Sequence, residues 1–137
     1  MIPRTVLSLL VLLAVSMVTP AGAAESLPME LNKAATVAGK CRVTMVVRNG
    51  LARPLSALSV DVVVFDKEGG VAGYSALNFG ALPAGKMRVR QYDIAEMPCA
   101  EISRLLINDI RKCGEGGEAQ CLGLLEPSSR LDIDFAL

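Results

Sequence analysis

The sequence predicts an all-β protein built as a seven-stranded antiparallel sandwich, and three observations carry that expectation. Beyond residue 28 the apolar side chains mostly recur with period two, the spacing of a half-buried strand. The apolar runs are short and are separated by turn residues such as Asn49-Gly50, Gly69-Gly70 and Pro83-Ala84-Gly85. Four cysteines, Cys41, Cys99, Cys113 and Cys121, follow an opening segment that reads as an export signal. An even number in an exported chain implies disulfides.

The strands follow in order. Met29 to Lys33 is a first strand. In the second, Cys41, Val43, Met45 and Val47 alternate with Arg42, Thr44, Val46 and Arg48, which separates an apolar row from a mainly polar one. Asn49-Gly50 ends it. Leu58 to Phe65 is the third strand, with Val60, Val62 and Val64 on one face, and its β-branched richness suits a central position. Asp66 to Gly70 supplies a glycine turn, and Val71 to Phe79 returns as the fourth strand of a hairpin. Leu82 to Gly85 turns into a fifth strand, Met87 to Tyr92, where Met87 and Val89 oppose Arg88 and Arg90.

The next segment supports two readings. Ile102, Leu105, Leu106 and Ile110 fit a helical stripe, whereas Leu105 and Ile107 fit a strand that follows one helical turn near Cys99 to Ser103. The strand is the preferred reading. Leu131, Ile133 and Phe135, alternating with Asp132 and Asp134, form the terminal strand.

The opening segment has one positive charge, Arg4, an apolar stretch from Val6 to Val18, and the small residues Ala21-Gly22-Ala23-Ala24 after Pro20. That is the pattern of a secretory signal peptide spanning residues 1–24, with an apolar stretch too short to cross a bilayer. Cleavage after Ala23 or Ala24 is expected. Residues 25–137 then form a single domain with 13 basic and 14 acidic residues, so no field of one sign draws in nucleic acid. With no cysteine before the cut there is no lipoprotein acylation site, and no stable membrane insertion is expected after cleavage. A periplasmic or extracellular location follows. Four cysteines allow three pairings; the glycine-rich run Gly114 to Gly117 favours Cys113 with Cys121, leaving Cys41 with Cys99.

The segment Val60 to Val71, ending Val64-Phe65-Asp66 before Gly69-Gly70, together with Leu82-Pro83-Ala84-Gly85-Lys86, resembles bacterial immunoglobulin-like modules of the FxLYD type. Over nearly the whole mature chain the sequence is also similar to an exported proteobacterial family often labelled "Tat pathway signal sequence domain protein". The residues behind that likeness are Glu30-Leu31-Asn32-Lys33, Cys41-Arg42, Asn49-Gly50, Leu106-Ile107-Asn108-Asp109 and the cysteines that follow. The resemblance implies an exported immunoglobulin-like sandwich and brings no activity with it. Two features depart from these patterns: the signal lacks a twin arginine, and the chain has no tryptophan for an antibody-type core.

The residues that could carry chemistry are few. The chain has no histidine, which removes the usual general base and the commonest zinc or copper ligand. Paired cysteines leave no thiolate nucleophile. Asp132 and Asp134 share a strand face, and Glu101, Asp109 and Glu126 lie near the cysteines, but their spacing marks no acid and base pair. Asp66-Lys67-Glu68-Gly69 lacks the distal glutamate of a calcium loop. Met29, Met45, Met87 and Met97 are scattered, as core methionines are, and Arg42, Arg48, Arg88 and Arg90 read as the polar faces of two strands.

No catalytic residue, metal or cofactor is therefore assigned. Asn108 and Asp109, a polar pair inside an apolar stretch, and Glu115 and Glu118, inside the cysteine-closed loop, are the candidate contact residues. The expected function is non-catalytic binding or scaffolding of another envelope protein through a sheet edge or the loop 113–121. The alternative is a metal or small-ligand carrier using carboxylates or methionines.

Overall fold

A computed structural model describes residues 17–19, 22, 24–114 and 118–137. Most of the expected signal peptide lies outside these residues, as does Glu115. Eight strands make the fold: β1 (Leu27–Val37), β2 (Lys40–Arg48), β3 (Leu55–Asp66), β4 (Val71–Leu82), β5 (Met87–Ala95), β6 (Ile102–Cys113), β7 (Leu125–Ser129) and β8 (Asp134–Ala136). A single 3-10 turn, Cys99–Glu101, precedes β6, and a five-residue helix α1, Glu118–Leu122, precedes β7.

The strands divide into two sheets with the orders β5-β2-β1-β7 and β4-β3-β6-β8. Set against each other, β1, β2 and β5 and β4, β3 and β6 follow the order of an immunoglobulin-like sandwich. The period-two pattern explains the burial. Met29, Val43, Met45 and Val47 from one sheet meet Val60, Val62, Val64, Leu77 and Phe79 from the other, all at or near zero exposure. Each such side chain stabilises the fold by about 1.5–3 kcal/mol relative to exposure. Phe79 also meets Tyr92 edge to face, with ring centroids 5.7 Å apart.

Residues 102–113 are strand and not helix, and the helical turn before them is confined to Cys99–Glu101. The end of the chain differs from the expected single strand. Residues 125–129 form β7, parallel to β1, and only residues 134–136 form β8, parallel to β6. These two parallel pairs join an otherwise antiparallel architecture. Ile133 and Phe135 are buried, as their alternation predicts.

Both favoured disulfides are present. Cys41, at the start of β2, bonds Cys99 with Cα atoms 4.7 Å apart, tying one sheet to the connection that enters the other. Cys113, at the end of β6, bonds Cys121 of α1 with Cα atoms 6.2 Å apart. Such bonds belong to an oxidising compartment outside the cytoplasm. Among the described residues no helix is long and apolar enough to cross a membrane.

Asn49-Gly50 does more than end a strand. The Asn49 side chain is fully buried: its amide donates to the carbonyls of Arg53 (3.0 Å) and Leu82 (2.9 Å), and its oxygen accepts from the Leu51 amide (2.9 Å). Its backbone is bound on both sides to the turn between β4 and β5, through Lys86 and Gly85. Gly50 donates to the Ser26 carbonyl, and a Cβ at residue 50 would stand 2.5 Å from that oxygen, so only glycine fits.

Candidate functional site

The seam where β4 and β5 run side by side is the most distinctive surface of the molecule. Each is the outermost strand of its own sheet. An outermost strand carries backbone donors and acceptors that lack a partner strand, and proteins usually guard such an edge with charge, proline or a bulge. β4 has the sequence VAGYSALNFGAL, with no charged residue and no proline.

The guard is supplied from β5, and only to the second half of β4. The Tyr92 hydroxyl donates to the Asn78 carbonyl (2.8 Å), and Arg88 Nη1 donates to the Phe79 carbonyl (3.3 Å). Gly80 sits at φ 71° beside both Arg88 and Arg90, in the left-handed region that suits glycine. Burial pushes the Tyr92 hydroxyl up to about 12, against a smaller opposing pull from the Arg90 charge.

The first half of β4, Val71 to Ser75, has no such cover. Val71 and Tyr74 are exposed, Tyr74 by 76%. A groove of about 330 Å³ separates this half from the far end of β5; Ala72, Gly73 and Tyr74 form one wall and Ile94, Ala95 and Glu96 the other. Lys40 and Asp93 complete it, each already paired: Lys40 with Glu96 (3.1 Å), Asp93 with Arg42 (2.8 Å). The hydrogen bond from Arg42 holds the Asp93 carboxyl below its ordinary value, with the Arg42 charge adding to it. On its other side Tyr74 borders a second groove, of about 240 Å³, with Asp61, Val63, Asn108 and Arg111.

Asn108 and Asp109 thus reach the neighbourhood of this surface, but not as a buried pair. Both are exposed on the outer face of their sheet. Asp61 lies opposite Asp109 and Val62 opposite Ile107, so Asn108 is the extra residue of a bulge, which explains a polar residue in an apolar strand. Asp109 accepts from the Ile110 amide (2.8 Å), and Asp61 pairs with Arg111 (2.6 Å). The buried asparagine is Asn49.

Glu118 opens α1 at the far end of β6, and only its backbone is described; Glu115 lies outside the described residues. The loop carrying them starts at Gly114, which packs on Leu55 and is not part of the seam.

Two further expectations change. Arg42 and Arg48 face outward on β2 as a polar face, but Arg88 and Arg90 lie opposite Val47 and Met45, on the inner side of β5, so they do not form the expected polar outer face of that strand. Met87 is consequently not a core residue: it is 54% exposed on the outer face, and Val89 is 58% exposed. Tyr74 and the two halves of β4 carried no sequence signal beyond the absence of charge. Asp66 forms the expected hairpin turn, its Oδ1 accepting from the Glu68 and Gly70 amides (3.0 and 2.8 Å). Among the described residues no three carboxylate or cysteine side chains converge as a metal site.

No family model, curated protein or solved structure matches the chain.

Proposed function

We propose that the protein is an exported, non-catalytic binding or scaffolding module of the periplasm, and that it takes up an extended segment of another envelope protein along Val71 to Ser75. Strand addition needs main-chain hydrogen bonds and no special side chains, which accords with a chain lacking histidine and free thiols. The observation that carries the reading is an uncharged, uncapped half-strand lying directly beside a groove, whereas β3, β6 and β8 carry cross-strand ion pairs, Arg111 with Asp61 and Arg104 with Asp134. Tyr74 would pack on the incoming segment from one side and Ile94 and Ala95 would floor the groove on the other.

The test is photo-crosslinking in intact cells with a reactive side chain at Tyr74 or, as a control on the opposite sheet, at Val46. A discrete adduct at Tyr74 alone is expected, falling about tenfold, the equivalent of about 1.4 kcal/mol, when Ala72→Lys and Ser75→Lys guard the edge. Equal adducts at the two positions, or none at Tyr74, would remove the proposal.

A further inference from the structure

Arg88 and Arg90 do more than close the second half of the β4 edge. We infer that the segment taken up beside Val71 to Ser75 carries an acidic side chain whose carboxylate seats between these two guanidinium groups. This rests on the strand-addition reading and specifies the chemistry of the partner.

Three observations converge on it. The first is geometric. A Cβ placed on Gly80 would lie 3.6 Å from Arg90 Nη2 and 3.7 Å from Arg88 Nη1, so both cations stand over a patch of bare backbone within the closed half, in line with the open one. The second is electrostatic. Arg42, Arg53, Arg104, Arg111 and Arg130 each lie within 4 Å of a carboxylate, whereas among the described residues Arg48, Arg88 and Arg90 have none, and of these three Arg88 and Arg90 stand together beside Gly80. Arg88 spends one donor on the Phe79 carbonyl and Arg90 makes no side-chain hydrogen bond among the described residues, so most of their N–H groups remain available.

The third is the inverted alternation of β5. An ordinary edge strand would turn Met87 and Val89 inward and its arginines outward; here the arginines take the positions opposite Met45 and Val47. An inward charge on an edge strand blocks strand addition. It therefore limits an incoming segment to the first half of β4, and the residues that follow meet the arginine pair at Gly80, five positions beyond Ser75. At about 3.3 Å per residue that is some 17 Å farther along the strand. A neutral or basic side chain there leaves two like charges unrelieved, while a carboxylate accepts from both forks. The same two residues thus exclude one class of strand and hold another.

The experiment uses the disulfide-intact protein and a displayed library of random twelve-residue peptides, fused at both ends so that no terminal carboxylate is offered. Peptides with Asp or Glu toward one end should be enriched. A synthetic acidic winner should bind at least about tenfold more tightly than its Asn or Gln analogue, and that advantage should vanish in R88Q/R90Q. Because Arg88 also binds the Phe79 carbonyl, Arg90→Gln alone is the second variant; it loses no such bond and should remove most of the advantage. An analogue that binds equally well, or an acidic preference that survives in both variants, overturns the inference and leaves the edge reading standing. Failure of every enriched peptide to protect the amides of Val71 to Ser75 from hydrogen exchange overturns both.

Discussion

The two halves of β4 have nearly the same composition and opposite fates. Asn78 to Leu82 is closed by side chains from β5, with Tyr92 on one carbonyl and Arg88 on the next. Val71 to Ser75, with as little charge of its own, faces a groove. Edge protection here is thus a property of the neighbouring strand: what guards β4 is the register of β5 on β2, which turns Arg88, Arg90 and Tyr92 toward the seam. Each half also has its own support. Cys41 lies opposite Ala95 and bonds Cys99, beneath the open half, while Asn49 anchors the turn from which the closed half begins.

Removing those supports in turn is the strongest way to break the comparison. Cys41→Ser with Cys99→Ser opens a loop of 58 residues' separation and should lower the unfolding free energy by about 4 kcal/mol in urea titrations. Hydrogen exchange should rise most at Ile94 to Glu96 and Val71 to Ser75; an even rise along both halves of β4 would contradict separate supports. Asn49→Ala removes three side-chain hydrogen bonds from a buried site and should cost about 3 kcal/mol, with the largest exchange increase at Leu82 to Arg88.

Tyr92→Phe sharpens the comparison with the smallest effect, about 1 kcal/mol for one hydrogen bond. Its pH dependence is more telling. The unfolded chain releases a tyrosine proton near pH 10, whereas the folded protein holds that of Tyr92 to about 12. The contribution of the neutral phenol is therefore complete below pH 10 and is lost as pH rises toward 12. Urea midpoints at pH 9 and 11 should show this alkaline loss in the parent and a reduced one in Tyr92→Phe.

Much of the sandwich was legible because burial writes itself into the sequence at period two: Val43, Met45 and Val47, or Val60, Val62 and Val64, could not have faced water together. Strand β5 shows where that rule stops. Met87 and Val89 alternate with two arginines, and the apolar pair was the reasonable choice for the core, yet the tertiary pairing that buries Ile94 and half-buries Tyr92 carries the arginines inward with them. β7 was invisible for a related reason. Leu125-Glu126-Pro127-Ser128-Ser129 has no alternation to read, and its place is fixed by a strand at the other end of the chain. Nor could Asn49 be told from Asn108 by neighbours alone, since one is buried by a distant turn and the other is turned out by a bulge.

That distant pairing of the first strand with the seventh bears on how the molecule assembles. Leu27 lies beside Leu125 and Leu31 beside Ser129, so the first strand keeps one flank without its native neighbour until nearly the whole polypeptide is present. Closing so large a loop costs more conformational entropy than closing the β3–β4 hairpin, so the middle of the chain can organise early while its two extremities meet late. Slow, topology-limited folding, in the millisecond to second range typical of all-β domains, is the consequence.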